Sequence, residues 1–140
     1  MSLELVIVTP TGEVYHGPVA TVVLPGTEGD FGVLPGHERF LAPLRIGELA
    51  LKTEDGSVVY GAIATGFVEI SADHVVVMAD TCELANDIDV ARAERAKASA
   101  EAELATVRQG HADEASFKVQ EGALQRALIR LQVAAKTHSI

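Results

Sequence analysis

Five histidines stand at positions 16, 37, 74, 111 and 138, and no two have the His-x-x-x-His spacing that would set two imidazoles on one helical face to hold a metal. No Gly-x-Ser-x-Gly run lifts a serine onto a strained turn as a nucleophile. Carboxylates are plentiful, but Asp80, Glu83, Asp87 and Asp89 cluster where the sequence turns helical. Acids at a helix start cap free N–H groups and complement the positive end of the dipole, which accounts for them without general acid–base work. Asp89 and Arg92 lie three residues apart and so share a helix face. Arg92 and Arg95 otherwise read as a solvated face. These residues give no catalytic constellation.

The segment Leu24-Pro25-Gly26-Thr27-Glu28-Gly29-Asp30-Phe31-Gly32-Val33-Leu34-Pro35-Gly36-His37 is denser in glycine than a turn needs. Glycines let backbone N–H groups face a phosphate. Glu28 and Asp30 would repel that anion, and no Gly-Lys-Ser/Thr follows. A rigid, exposed recognition loop is the better reading.

The elements that carry these residues change character near residue 85. All five prolines and ten of the twelve glycines precede residue 67, so the first part reads as many short elements and the second as long ones. Leu3 to Thr9, Val19 to Leu24, Glu48 to Thr53, Ser57 to Ala64, Phe67 to Ser71 and His74 to Ala79 are β-branched runs separated by turn residues. Glu54-Asp55-Gly56 marks a hairpin. Short strands at close spacing imply a β-sandwich or flattened barrel.

From Ile88 the period becomes helical. Ala93, Ala96, Ala100, Leu104 and Val107 fall on one face, with Asn86 or Asp87 available as a cap. Asp113 can cap a second helix carrying Phe117, Leu124, Leu128, Leu131 and Ala135 on one stripe. The expected helices span about residues 88–108 and 114–136, joined through Gln109 to Ala112 as an antiparallel hairpin. The first helix offers mainly alanine, while the second offers several large apolar residues. An alanine face leaves such a stripe partly uncovered, so the second helix needs another surface: the β-domain or a different chain.

The bulk numbers exclude further classes. A net charge of −9 without a Lys/Arg run excludes phosphate-neutralising nucleic-acid binding. Residues 1–110 carry 17 acids against 7 bases, whereas residues 111–140 carry 3 against 4, so the second helix is mildly basic through Lys118, Arg126, Arg130 and Lys136. No apolar run reaches the roughly 20 residues of a membrane span. The N-terminus lacks signal-peptide and transit-peptide features, so a cytosolic chain is expected. Cys82 stands alone and reads as a small buried hydrophobe.

The glycine-rich loop, together with Val8-Thr9-Pro10-x-Gly12-x-Val14-x-x-Gly17, resembles the signature of the epsilon subunit of bacterial and chloroplast F-type ATP synthases. Gly47-x-Leu49, Gly66-Phe67-Val68-Glu69-Ile70, Val75-Val76-Val77-x-Ala79-Asp80 and Ile88-Asp89-Val90-Ala91-Arg92-Ala93 match in order along the whole chain. The resemblance implies an α+β, mostly β, fold: a sandwich of about ten strands over residues 1–84, then an antiparallel two-helix hairpin over 85–140. It implies a non-catalytic central-stalk subunit that couples rotation to proton flow and inhibits ATP hydrolysis through its hairpin. The implied partners are the gamma subunit, the membrane rotor ring of c subunits and, when the hairpin extends, the catalytic beta and alpha subunits. The implied location is peripheral, on the cytoplasmic face of the bacterial plasma membrane or the stromal face of the thylakoid. Glu28, Asp30 and His37 are the expected partner contacts. No cofactor is required. ATP is expected as a regulatory ligand at Ile88, Asp89, Arg92, Ala93, Arg126 and Arg130, although Ser99 stands where relatives add a further base. The alternative reading is a free-standing β-sandwich binding module with an oligomerising helical tail.

Overall fold

Strand β1 (Leu3–Thr9) buries Leu3, Leu5 and Ile7 and leaves the residues between them half-buried, the period-two pattern of a strand with one face inward. The computed structural model to which it belongs describes residues 2–36, 38–108 and 113–137. His37 and the Gln109–Ala112 connection lie outside the described residues. Seven further strands follow: β2 (Gly12–Val19), β3 (Thr21–Gly26), β4 (Gly29–Val33), β5 (Phe40–Leu44), β6 (Gly47–Lys52), β7 (Val58–Ser71) and β8 (His74–Leu84). Their order is β2-β1-β8-β7-β5-β3-β4, with β6 pairing both β3 and β7.

The sandwich thus has eight described strands where about ten were expected. Part of the difference lies in one long strand. Ser57 to Ala64 and Phe67 to Ser71 read as separate strands but form the continuous β7. Its first half pairs β6 and its second half pairs β5, while β8 follows it from Gly61 to Ser71. The change of partner falls at Thr65 and Gly66. Thr65 takes a positive φ of 52° and its hydroxyl donates to Asp80. Gly66 has φ +149°, and a Cβ there would stand 2.2 Å from the Met78 carbonyl oxygen. Only glycine fits so close to a neighbouring strand in that conformation.

The core enclosed by the folded sheet is aliphatic. Leu3, Leu5, Ile7, Leu24, Leu49, Leu51, Ile63 and Ile70 are fully buried, and Cys82 joins their cluster as expected. The β6–β7 hairpin turns at Asp55-Gly56, where Gly56 has φ +92° and Asp55 accepts from the Thr53 hydroxyl and the Ser57 N–H.

After β8 the chain makes a single 3-10 turn, Ala85–Asp87, before helix α1 (Val90–Thr106). Neither Asn86 nor Asp87 caps that helix. Asp89 does: its carboxylate accepts the Arg92 N–H at 3.0 Å. Ile88 stays extended and buried, so the first helical turn begins two residues later than its sequence suggests. Helix α2 (Glu114–Thr137) is capped as expected, with Asp113 accepting the Ser116 N–H at 2.9 Å.

The buried face of α1 is the predicted one, at Ala93, Ala100 and Leu104. On α2 the face is rotated from the expected stripe. Leu128 and Ala135 are exposed, and Ala127, Val133 and Ala134 are buried instead. Small residues let the helix approach a strand closely, so the sandwich takes the small-residue side. α2 lies against β7, β6 and the 3-10 turn, and α1 packs on α2. The second surface that α2 required is therefore the sandwich.

Candidate functional site

Arginines from both helices converge on one groove. Arg92 of α1 and Arg126 and Arg130 of α2 line a cavity of about 380 Å³, together with Thr9, Thr11, Asp80, Thr81 and Glu83 from the sandwich. That volume lies in the range of small-ligand sites. The helical rise explains the convergence: Arg126 and Arg130 are four residues apart and share one face of α2.

Arg130 is already engaged. Its Nε stands 2.6 Å from Glu83 Oε1, although that N–H is not directed at the oxygen, and Nη2 donates to Oε2 at 3.3 Å. Among the described residues no carboxylate lies within ion-pair distance of Arg92 or Arg126, and both are exposed. Two guanidinium forks therefore face the groove with donors available, in the geometry suited to phosphate or carboxylate oxygens. The hydroxyls of Thr9, Thr11 and Thr81 add polar partners.

The other residues named from the sequence do different work. Asp89 caps α1 and does not line the groove. Ile88 packs with Ala62, Val133 and Ala134 under α2, and Ala93 is fully buried. The motif Ile88-Asp89-x-x-Arg92-Ala93 thus builds the start of α1 and its seat, and contributes one side chain, Arg92, to the groove. Glu83 and the threonines were missed, since a strand acid and scattered hydroxyls carry no spacing signal. Sulfur chemistry is absent from the groove's rim: burial pushes the Cys82 thiol up to about 12, leaving it protonated.

A larger hollow of about 570 Å³ lies alongside, lined mainly by apolar groups including Pro43, Phe67 and Met78. It lacks a cluster of charges. Among the described residues no group of His, Cys, Asp and Glu could hold a metal ion.

The glycine-rich segment is not a loop throughout. Gly26 pairs with Gly29, so Thr27 and Glu28 form the tip of a β3–β4 hairpin. Glu28 is exposed at that tip. Asp30 is tied to Arg45, whose Nε also donates to the Gly26 carbonyl at 3.2 Å. Further on, the Gly36 N–H donates to Asp73 at 3.0 Å, anchoring the segment to the β7–β8 turn. Of the expected partner contacts, Glu28 is presented outward, Asp30 is engaged within the chain, and His37 lies outside the described residues.

Comparison with known families decides the framework. The beta-sandwich domain of the ATP synthase Delta/Epsilon chain matches residues 2–85, and the long alpha-helix domain of the same chain matches residues 86–135. The chain belongs to the ATP synthase delta/epsilon family. Relatives in this family include the ATP synthase epsilon chain of Geotalea daltonii, 42% identical over 96% of this chain and 95% of that one. The epsilon chain of Trichlorobacter lovleyi is 43% identical over 96% and 94%. Among solved structures, a chain of the Euglena gracilis mitochondrial ATP synthase, an OSCP/F1/c-ring assembly, superposes with a TM-score of 0.78 at 25% identity. It covers 96% of this chain and 81% of that one. A chain from the central stalk and c-ring of the Tetrahymena thermophila mitochondrial enzyme shares the fold, with a TM-score of 0.51 at 12% identity. The sandwich followed by two helices is thus the architecture of the family. No described helix is long and apolar enough to cross a membrane.

Proposed function

We propose that the chain is a non-catalytic central-stalk subunit of an F-type ATP synthase, which couples rotation of the catalytic head to proton translocation and restrains ATP hydrolysis through its hairpin. The carrying observation is the family match along nearly the whole chain, in which both the sandwich and the hairpin take part. The sandwich, residues 1–84, binds the gamma subunit and rests on the ring of c subunits, with Glu28 at the tip of its hairpin as a contact. The hairpin, residues 85–140, meets the catalytic beta and alpha subunits when it extends. The subunit sits peripherally at the cytoplasmic face of the membrane.

The folded hairpin is the state that permits hydrolysis, and ATP binds to it as a regulatory ligand in the arginine groove. Arg92 and Arg126 would hold phosphate oxygens, while Arg130, kept on Glu83, adds positive charge at the groove's edge. Glu83 and the threonine hydroxyls are available to the base and ribose. A ligand that binds only the docked form stabilises it by about 2.7 kcal/mol at one hundred times its dissociation constant, enough to reset a marginal hairpin.

ATPase turnover of the reconstituted complex, with and without residues 87–140, tests the regulatory role. Truncation should raise turnover. Equal rates in both complexes would remove the inhibitory role and leave coupling alone. Titration calorimetry of the isolated chain tests the ligand. ATP should release heat with the parent and far less with Arg92→Ala, and absence of both heat and a melting shift at millimolar ATP rules the ligand out.

A further inference from the structure

The hairpin meets the sandwich through α2, and the apolar part of that contact is thin. Ala62, Ile88, Val133 and Ala134 form its buried centre, with Tyr60, Ala85 and Ile129 packed around them. Alanine against alanine lets helix and strand come close, but such smooth surfaces interlock few atoms and resist sliding weakly. The register of α2 on the sandwich needs another cause.

Two ion pairs supply it. Arg130 meets Glu83 of β8, with side chains 16% and 34% exposed. Lys136 Nζ meets Glu48 Oε2 of β6 at 2.7 Å, with side chains 37% and 22% exposed, and lies 4.5 Å over the ring of Tyr60. The other oxygen of Glu48, Oε1, is buried without a hydrogen-bond partner, so Lys136 carries the compensation of that charge while α2 is docked. The two cations are six residues apart on α2, about 9 Å along the axis, and their carboxylates belong to different strands. A slide of one helical turn, about 5.4 Å, pulls both cations off their partners together.

An ion pair also fails differently from an apolar contact. When α2 lifts, all four charges return to water, so the net stabilisation is small, whereas a wrongly docked helix would leave charges half-buried and unpaired. Strong discrimination of position with weak net holding suits a part that must seat accurately and still leave.

We infer that Arg130–Glu83 and Lys136–Glu48 form an electrostatic clasp that fixes the docked register of the hairpin and sets how readily it detaches. This rests on the reading of the hairpin as a movable regulator. Salt screens partly exposed pairs, so rising ionic strength shifts the population toward the detached form.

The test uses the full chain with spin labels on cysteines introduced at the exposed positions Glu54 and Val119, the buried Cys82 left in place, and pulsed dipolar distances read at low and high salt. Glu48→Gln and Lys136→Gln should each raise the detached-to-docked ratio about two- to fivefold at low salt. The double variant should exceed neither single change, and Glu48→Lys with Lys136→Glu should restore the parent ratio. Silent single variants, or effects that simply multiply in the double variant, overturn the clasp. Val133→Asp, which removes the apolar anchor, separates the two readings. If it detaches while the charge variants stay silent, the hairpin moves but the clasp is wrong. If it too keeps the docked distance, the movable hairpin falls and the clasp with it.

Discussion

Eight large aliphatic side chains, from Leu3 to Ile70, are fully buried in the sandwich, while among the described residues of α1 and α2 the buried ones are Ala93, Ala100, Leu104, Ala127, Val133 and Ala134, four of them alanine. A fully buried Leu or Ile contributes roughly 1.5–3 kcal/mol, and alanine a fraction of that. The sandwich therefore closes on its own core, and the hairpin adheres to its outside by a small apolar seat and two ion pairs. One chain combines a part built to keep its shape with a part whose position is cheap to change. That division is what a stalk subunit with a regulatory arm requires.

Substitutions on either side of this divide should behave differently. The largest effect is expected in the core: Leu49→Ala should destabilise the chain by about 2–5 kcal/mol in urea unfolding, because the cavity adds to the lost transfer energy. A cost below that of a hairpin substitution would break the comparison. Asp89→Ala removes the α1 cap and should cost about 0.5–2 kcal/mol of helix stability. Faster hydrogen exchange should then be confined to α1, with the β7 and β8 amides unchanged. In α2, a Cβ on Gly122 would meet only the mobile end of Arg126, at 3.3 Å. Gly122→Ala should therefore stabilise the helix by about 0.5–1 kcal/mol, seen as higher helicity on warming.

Acid should distinguish the halves more gently. Asp55 at the β6–β7 turn has its pKa lowered from 3.8 to about 2, chiefly by the Thr53 hydroxyl and then by the Ser57 N–H. A lowered carboxylate pKa stabilises the fold fully above the ordinary value, and that contribution disappears as pH falls through about 2. A carboxyl NMR titration should give this midpoint, and Asp55→Asn should remove the corresponding step from the acid unfolding curve. The smallest effect on the sandwich should come from deleting residues 85–140, since its main core cluster ends at Cys82. Residues 1–84 should keep a cooperative melt and bind gamma. A molten product would mean that α2 completes the core.

Much of this was legible from residue type and spacing. β1 was read to its ends, the β6–β7 hairpin was found from Glu54-Asp55-Gly56, and the need of α2 for a second surface followed from the unequal helices. β2, β4 and β5 were missed. β2 contains Gly12, Gly17 and Pro18, and β5 contains Pro43, residues that ordinarily interrupt strands. β2 and β4 close the two ends of the strand order, where one side of a strand needs no partner and such residues are tolerated. Thr65-Gly66 looked like a break and is a kink within β7, because sequence spacing does not reveal that β8 continues alongside. Of the residues that line the groove, the three arginines were named from the sequence, but their neighbour Glu83 depends on a helix–strand juxtaposition that no local pattern encodes. Asp89 belongs to the cap, one of the two roles its position allowed.

The parallel pairing of β1 with β8, which sets Glu4 beside His74 and Val8 beside Met78, joins the first strand to the last. During synthesis β1 must wait with one edge open until some seventy further residues have emerged. Long-range pairings of this kind slow folding. The helices meet each other through local contacts, but α2 gains its second surface only once β6 and β7 are in place. The closure of the sandwich thus sets the pace for the chain, and the arm that is easiest to displace in the finished protein is also the last to find its seat.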